Sequence, residues 1–138
     1  MFRLSIVTPE KVFYEDDVAS LTAPGTEGYL GVLSHHAPLI TALQPGKIEF
    51  RDASEQVHLL AVSGGFLEVS SNQATLLADA VERADEIDVE RAQASYEREK
   101  ARILSFSKGE TEIDLPRAQS GLERAANRLK IARERAAN

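Results

Sequence analysis

The stretch VHLLAVSGGFLEVSSNQATLLA, residues 57–78, contains three short apolar runs separated by glycine and small polar residues. Runs of this length, interrupted in this way, are typical of β-strands joined by tight turns. Residues 59–62 are apolar at every position, as expected of a central strand with both faces covered. Gly64 and Gly65 lie where a turn or bulge needs a permissive backbone. The stretch therefore predicts three neighbouring strands.

The same pattern continues towards the N-terminus. Phe2, Leu4 and Ile6 alternate with polar residues, which indicates a strand with one buried face. No helical pattern separates the runs, and many short strands at close spacing predict an antiparallel sandwich or flattened barrel. The predicted strands cover residues 4–7, 18–23, 29–33, 47–50, 57–62, 66–69 and 74–78.

The residue pattern changes near Val81, and no glycine or proline occurs from Asp88 to Gly109. Helical periodicity then predicts two helices, separated by a turn at 105–109, with Pro116 tolerated in the first turn of the second helix, which starts near Asp114. The first apolar stripe comprises Val89, Ala92, Tyr96 and Ile103, on a helix running to about Ser105. The second comprises Ala118, Leu122, Ala125, Leu129 and Ala132.

These patterns predict an α+β chain with two domains. Residues 1–84 form an N-terminal antiparallel β-sandwich or flattened barrel, and residues 85–138 form a C-terminal two-helix antiparallel hairpin. The small residues of the second stripe allow close helix packing but bury little apolar area. We therefore expect a hairpin that is weakly held and able to detach from its partner surface.

Charge is divided unevenly along the 138 residues. Residues 1–81 carry four basic and ten acidic side chains, the whole of the net charge of -6, whereas residues 82–138 carry twelve of each. An acidic first half argues against nucleic acid or anionic lipid as its partner. The absence of cysteine excludes disulfides and thiolate chemistry. Without an apolar run of membrane-spanning length or a signal peptide, a cytoplasmic location is expected.

Familiar catalytic and metal-binding patterns are missing. His35 and His36 lack further ligands at suitable spacing, so they are expected to be turn histidines. The acidic residues 15–17 lack the spacing of a calcium loop and predict a solvated turn. No nucleophile elbow or phosphate loop occurs. We therefore expect no catalytic residues, no metal site and no enzymatic activity.

Arginines in the helical half offer a stronger signal. Arg98, Arg124 and Arg128 have no acidic residue three or four positions away, where a helical ion-pair partner would lie. Guanidinium groups suit phosphate oxygens, so these residues predict an anion clamp. The alternative is that they are solvated or meet acids on another subunit. Asp88 also has two interpretations, an N-cap or a hydrogen-bond acceptor for a ligand, and the residues alone favour the cap.

Four segments, GTEGYLGVL (25–33), HAPL (36–39), VSGGFLEV (62–69) and TLLA (75–78), together resemble the epsilon subunit of bacterial and chloroplast F-type ATP synthases. The resemblance covers essentially the whole chain. It implies a non-catalytic central-stalk subunit whose sandwich docks against the gamma subunit and sits on the polar loops of the c ring. The implied contact residues are Glu27, Gly28, Tyr29, Leu30 and His36.

Some bacterial members of this family bind ATP through an Ile/Leu-Asp-x-x-Arg-Ala motif, and residues 87–92, IDVERA, match it at each position. The resemblance thus implies that no cofactor is required but that ATP is a regulatory ligand. The implied ATP-binding residues are Glu82, Ile87, Asp88, Arg91, Ala92, Arg98, Arg124 and Arg128.

The resemblance also implies a switch. With ATP bound, the hairpin folds back in a compact state; without it, the hairpin extends along gamma towards the alpha and beta subunits and inhibits hydrolysis. A purely structural coupling subunit is the alternative, and a small-ligand enzyme lacks the residues it would need. The implied location is peripheral, at the cytoplasmic face of the plasma membrane, or at the thylakoid membrane for a plastid-encoded chain. The membrane is reached only through the complex, and no nucleic acid is bound.

Overall fold

The computed structural model describes the backbone of residues 1–137 and the side chains of residues 1–135. Asn138, the last residue of the predicted hairpin, lies outside the described residues. Across this range the chain forms nine β-strands, a short 3-10 turn and two α-helices, in two compact units, Met1–Arg83 and Ala84–Asn138. The strands are β1 (Phe2–Val7), β2 (Val12–Gly25), β3 (Gly28–Val32), β4 (Leu39–Leu43), β5 (Gly46–Asp52), β6 (Val57–Val62), β7 (Gly65–Ser70), β8 (Gln73–Ala78) and β9 (Val81–Arg83). The 3-10 turn is Ala84–Glu86, and the helices are α1 (Val89–Ser107) and α2 (Leu115–Ala137).

The predicted α+β fold class is confirmed, and each of the seven predicted strands corresponds to a strand of the structure. β4 and β9 were not predicted. The interpretation of residues 15–17 as a turn was wrong, because these residues continue β2 and pair with β1. Arg3 on β1 lies 3.7–3.8 Å from the carboxylates of Glu15, Asp16 and Asp17 and offsets their charge. Backbone pairing with β1 therefore makes this acidic segment a strand, and Arg3 reduces the repulsion among its carboxylates.

The long strand β2 links the two layers of the sandwich. Its first part pairs with β1, and its second part pairs with β3 and β5. The strand order is β1-β8-β7-β4-β2-β5-β6-β9, with the additional β1–β2 pairing. All pairings described are antiparallel except β1–β8, which is parallel. Val18 stands at the junction, where it lies opposite both Phe2 of β1 and Asp52 of β5.

The core of the first unit lies between these layers and follows the period of two expected of half-buried strands. Leu4 and Ile6 of β1, Leu67 of β7 and Leu76 of β8 are completely buried. Phe50 of β5 is buried as well, and its ring lies 4.5 Å from that of Tyr14. Each such side chain contributes about 1.5–3 kcal/mol through removal of apolar surface from water.

The two helices of the second unit are bounded by residues that satisfy their end groups. Asp88 Oδ1 accepts a hydrogen bond of 3.1 Å from the backbone N–H of Arg91, so the N-cap prediction is confirmed. Asp114 Oδ1 accepts from the backbone N–H of Arg117 at 3.2 Å in the same way. α1 ends before Gly109, whose φ of 74° favours glycine. Within residues 1–137, no helix is long and apolar enough to cross a membrane.

Candidate functional site

The segment 87–92 divides into buried apolar and exposed polar residues. Ile87 is 8% exposed and Ala92 is fully buried, whereas Asp88 and Arg91 are exposed. Asp88 uses Oδ1 to cap α1. The apolar members of the motif therefore anchor the start of the helix, and its polar members are presented to solvent.

The predicted isolation of Arg98 was wrong. Its Nε lies 3.8 Å from Glu99 Oε1, and its guanidinium donates a 3.4 Å hydrogen bond to Ser95 Oγ. The spacing rule considered only residues three and four positions away, but the long arginine side chain reaches the adjacent carboxylate. Arg128, half-buried on α2, also takes part in an interaction within the structure. Arg124 is exposed on the same helix.

The seam between α1 and α2 also differs from the predicted stripe. Ala92, Ala118, Ala125 and Leu129 are buried as predicted. Val89, however, is 51% exposed, so it lies outside the buried face of α1. The sequence-based stripe missed two buried residues, Ile131 of α2 and the charged Glu99 of α1.

Glu99 occupies a notch formed by Gly121 on α2. A Cβ atom added at Gly121 would lie 3.3 Å from Glu99 Cγ and 3.4 Å from Cδ, so a side chain there would crowd the carboxylate. Arg102 donates a 3.1 Å hydrogen bond to Glu99 Oε1. Arg124 follows Gly121 by three residues, which is about 4.5 Å along the helix axis. The helix pairing therefore brings Arg98 and Arg102 close to the part of α2 that carries Arg124.

The predicted ATP-binding residues belong to different units. Glu82 lies half-buried on β9 of the first unit, opposite Ala61 of β6. The remaining seven, from Ile87 to Arg128, belong to the second unit. Within that unit they are distributed over the start of α1, the middle of α1 and the middle of α2.

The predicted docking residues lie at the β2–β3 turn and beyond it. Glu27 and Gly28 are exposed, and the φ of Gly28 is 127°. Tyr29 is 54% exposed, and its hydroxyl accepts a 2.9 Å hydrogen bond from the backbone N–H of Lys47. Leu30 packs against the core, so its role is at least partly structural. Tyr29 thus ties an otherwise exposed turn to β5.

The two histidines that follow lie in the connection between β3 and β4. His35 is a turn residue with φ of 64°, and its backbone N–H donates to Asn72 Oδ1 at 2.8 Å. His36 Nδ1 lies 2.7 Å from the carbonyl oxygen of Ala37. The interpretation of these histidines as loop residues is confirmed. Within the described part of the chain, no group of three or more His, Cys, Asp or Glu residues is arranged to hold a metal ion.

The sequence-based search missed an apolar patch on the outer face of β4, β7 and β8. Ile40, Phe66 and Leu77 are 75%, 56% and 51% exposed. Phe66 lies directly opposite Leu77, and Ile40 lies opposite Glu68, two residues along β7 from Phe66. We call these three residues the β4–β7–β8 patch. Each belongs to a pair of adjacent apolar residues, and in a strand such a pair must place one member on the outer face.

Comparison with protein families places both units in one family. Residues 1–84 match a family model described as "ATP synthase, Delta/Epsilon chain, beta-sandwich domain". Residues 85–133 match a second model, "ATP synthase, Delta/Epsilon chain, long alpha-helix domain". The two matches are consecutive and cover nearly the whole chain.

Individual relatives agree with these matches. The ATP synthase epsilon chain of Desulforamulus reducens is 48% identical over 130 residues, 94% of this chain and 96% of the relative. That of Moorella thermoacetica is 47% identical over 130 residues, 94% of this chain and 95% of the relative.

Solved structures show the same fold at lower identity. A chain in the cryo-EM structure of the Euglena gracilis mitochondrial ATP synthase (OSCP/F1/c-ring, rotational state 1) aligns with a TM-score of 0.79 and 23% identity, covering 98% of this chain and 80% of that chain. A chain of the Tetrahymena thermophila mitochondrial ATP synthase central stalk and c ring aligns with a TM-score of 0.54 and 17% identity, covering 79% and 96%. By its family models and its relatives, this chain belongs to the ATP synthase delta/epsilon chain family.

Proposed function

We propose that this chain is a central-stalk subunit that couples the catalytic head of an ATP synthase to the c ring and regulates ATP hydrolysis through its helical unit. The observation that carries the proposal is the consecutive match of both units to the two domains of this family. The subunit is non-catalytic. In the complex it is peripheral, at the cytoplasmic face of the plasma membrane or, for a plastid-encoded chain, at the thylakoid membrane.

The first unit is proposed to dock through two surfaces. The β4–β7–β8 patch suits an apolar surface of the gamma subunit, because clustered exposed apolar residues mark interaction sites more often than isolated ones do. The turn with Glu27, Gly28 and Tyr29, together with Leu30 and His36, is proposed to meet the polar loops of the c ring.

Co-purification tests the docking surface. Phe66→Ser in the assembled complex should reduce recovery of this chain with gamma, because it removes the largest apolar side chain of the patch. Val57→Ser is the matched control, since Val57 is 54% exposed on β6, outside the patch. Equal recovery of the two variants would contradict this docking surface.

The second unit is proposed to sense ATP. Asp88 and Arg91 present polar groups at the start of α1, and Arg98, Arg124 and Arg128 add guanidinium groups on α1 and α2. Bound ATP would favour the compact pairing of the helices, provided it binds that state more tightly than an extended one. When ATP is scarce, the extended hairpin would reach the alpha and beta subunits and oppose rotation in the hydrolysis direction.

Thermal unfolding of the purified chain tests nucleotide binding. Millimolar ATP should raise the thermal midpoint of the wild type, because a ligand that binds only the folded state stabilises it by RT ln(1 + [L]/Kd). The double variant Arg124→Ala/Arg128→Ala should show a much smaller increase. An unchanged wild-type midpoint, or an equal shift in the double variant, would refute ATP binding at these residues.

Truncation after Glu86 tests regulation separately from docking. The truncated chain retains the whole first unit, so it should still assemble while releasing inhibition of ATP hydrolysis. Unchanged hydrolysis by the assembled complex would instead support a purely structural coupling role for the hairpin.

A further inference from the structure

Glu99 is a charged residue in the apolar seam of the helical unit. It follows Ala92 and Tyr96 by seven and three residues and precedes Ile103 by four, which is the spacing of one helical face. Only 12% of its side chain is exposed, whereas Arg98 and Arg102 beside it are more than half exposed. A carboxylate in such a position requires compensating partners, because removal from water disfavours the charged form.

Gly121 and the two arginines supply the environment that Glu99 needs. Glycine is less favourable than alanine within a helix, and here it leaves room for Glu99 Cγ and Cδ against α2. Oε1 accepts a hydrogen bond from Arg102 at 3.1 Å and lies 3.8 Å from Arg98 Nε. The notch therefore holds a fixed negative charge beside two guanidinium groups.

We propose that Glu99 is an internal anion that competes with the phosphate groups of a nucleoside triphosphate for Arg98 and so lowers the nucleotide affinity of the helical unit. This inference rests on the proposed nucleotide binding. Carboxylate and phosphate oxygens form the same charge-assisted hydrogen bonds with guanidinium groups. A phosphate that approaches Arg98 must therefore share or displace the contact with Glu99, and it also meets the repulsion of a like charge.

The competition predicts an effect that depends on ligand charge. Glu99→Gln keeps the length and shape of the side chain in the notch and removes its charge. ATP should then bind about two- to fivefold more tightly, the range expected when a phosphate no longer competes with one partly exposed ion pair. ADP should gain less, and adenosine should gain nothing because it carries no phosphate.

Calorimetric titration of the full chain with ATP, ADP and adenosine measures these affinities. Glu97→Gln is the matched control, since it makes the same charge change two residues away on an exposed side chain that accepts a 3.0 Å hydrogen bond from Gln93. It should leave all three affinities unchanged. An equal gain for Glu97→Gln, or a gain that includes adenosine, would overturn the inference.

The failure of each proposal has its own signature. If the wild type and both glutamine variants bind no ATP, nucleotide binding fails and the inference fails with it. If the wild type binds ATP and Glu99→Gln does not bind it more tightly, the competition alone is refuted. A merely structural Glu99 would change the thermal midpoint without changing the preference for ATP over adenosine.

A second variant keeps the test informative if Glu99→Gln loses its helices. Far-UV circular dichroism reports whether Glu99→Gln retains its helices, and Glu99→Met fills the notch with an uncharged side chain of similar length. If only the methionine variant retains its helices, it should show the gain in ATP affinity. Loss of the helices in both variants would overturn the inference in favour of a structural role for Glu99.

Discussion

The imidazole of His58 lies against the carboxylate of Asp52, with Nε2 2.8 Å from Oδ2. The same ring stacks on Phe50, with centroids 4.5 Å apart and planes inclined by 7°. The other oxygen of Asp52, Oδ1, accepts backbone N–H groups of Ser54 at 2.8 Å and Gln56 at 3.0 Å. One carboxylate therefore organises the connection between β5 and β6 and also positions a histidine against the core.

These hydrogen bonds, that with His58 foremost, lower the pKa of Asp52 below its ordinary value of 3.8. A lowered folded-state pKa contributes stability that is fully present above the unfolded-state value and is lost as pH falls through the folded-state value. We expect Asp52→Asn to lower the thermal midpoint at neutral pH and to flatten its decline below pH 3.8. Thermal unfolding measured at about ten pH values between roughly pH 2 and 7 checks both effects.

Glu55→Gln is the control for Asp52→Asn. Glu55 belongs to the same turn and pairs with Arg51 at 3.3 Å, but its side chain is 76% exposed. Such surface pairs contribute little to stability. The thermal midpoints of Glu55→Gln should therefore equal those of the wild type at each pH. Parallel acid-side curves for Asp52→Asn and the wild type would contradict the assigned role of Asp52.

Gly65 and Gly28 should respond differently to alanine. Both have positive φ angles, 140° and 127°. At Gly65 a Cβ would also collide with the carbonyl oxygen of Leu77, whereas at Gly28 it meets nothing within 4 Å. We expect Gly65→Ala to lose about 3–5 kcal/mol and Gly28→Ala about 1–2 kcal/mol.

Urea denaturation of the two variants measures this difference. Backbone strain is common to both positions, so the additional loss of folding free energy at Gly65 measures the cost of the steric collision with Leu77. Similar free energies of unfolding for the two variants would show that the β7–β8 pair adjusts to the added methyl group.

The seven predicted strands are rich in apolar residues, but β4 was missed although four of its five residues are apolar. β9 was not predicted because only one of its three residues, Val81, is apolar. It is a strand because it pairs with β6. The acidic part of β2 escaped because Arg3, distant in sequence, offsets its charge. Local composition does not reveal a partner of this kind, so non-local pairing explains the errors at β9 and at the acidic part of β2.

The site shows the same division between local and non-local information. The N-cap role of Asp88 was predictable, because a cap depends on residues three positions away. The position of Glu99 on the seam was also predictable, since Glu99 lies on the same helical face as Ala92, Tyr96 and Ile103. Its notch at Gly121 depends on the packing of two helices and was not predictable from either stripe alone.

Leu67 and Phe66 are adjacent residues with opposite expected roles. Leu67 is fully buried, whereas Phe66 belongs to the exposed β4–β7–β8 patch. Leu67→Ala should lose about 2–5 kcal/mol of folding free energy, because it leaves a cavity in the core. Phe66→Ala should change stability by less than about 1 kcal/mol. Urea denaturation of the isolated chain checks both values, and a larger loss for Phe66→Ala would show that its ring belongs to the core.

Asp88 allows its capping role to be separated from its proposed role in ATP binding. Asparagine caps helices about as well as aspartate, so Asp88→Asn should keep the stability of the wild type, whereas Asp88→Ala should lose about 1 kcal/mol. If the second carboxylate oxygen accepts a hydrogen bond from ATP, both variants should bind ATP about five- to tenfold more weakly, because the asparagine amide nitrogen cannot accept.

Asp114→Ala provides the control for Asp88, because Asp114 caps α2 in the same way. It should lose a similar amount of helix stability and retain its ATP affinity. Urea denaturation monitored by circular dichroism and calorimetric titration with ATP measure the two properties. Wild-type ATP affinity in Asp88→Asn would show that ATP binding does not need the second carboxylate oxygen. The role of Asp88 would then be limited to capping.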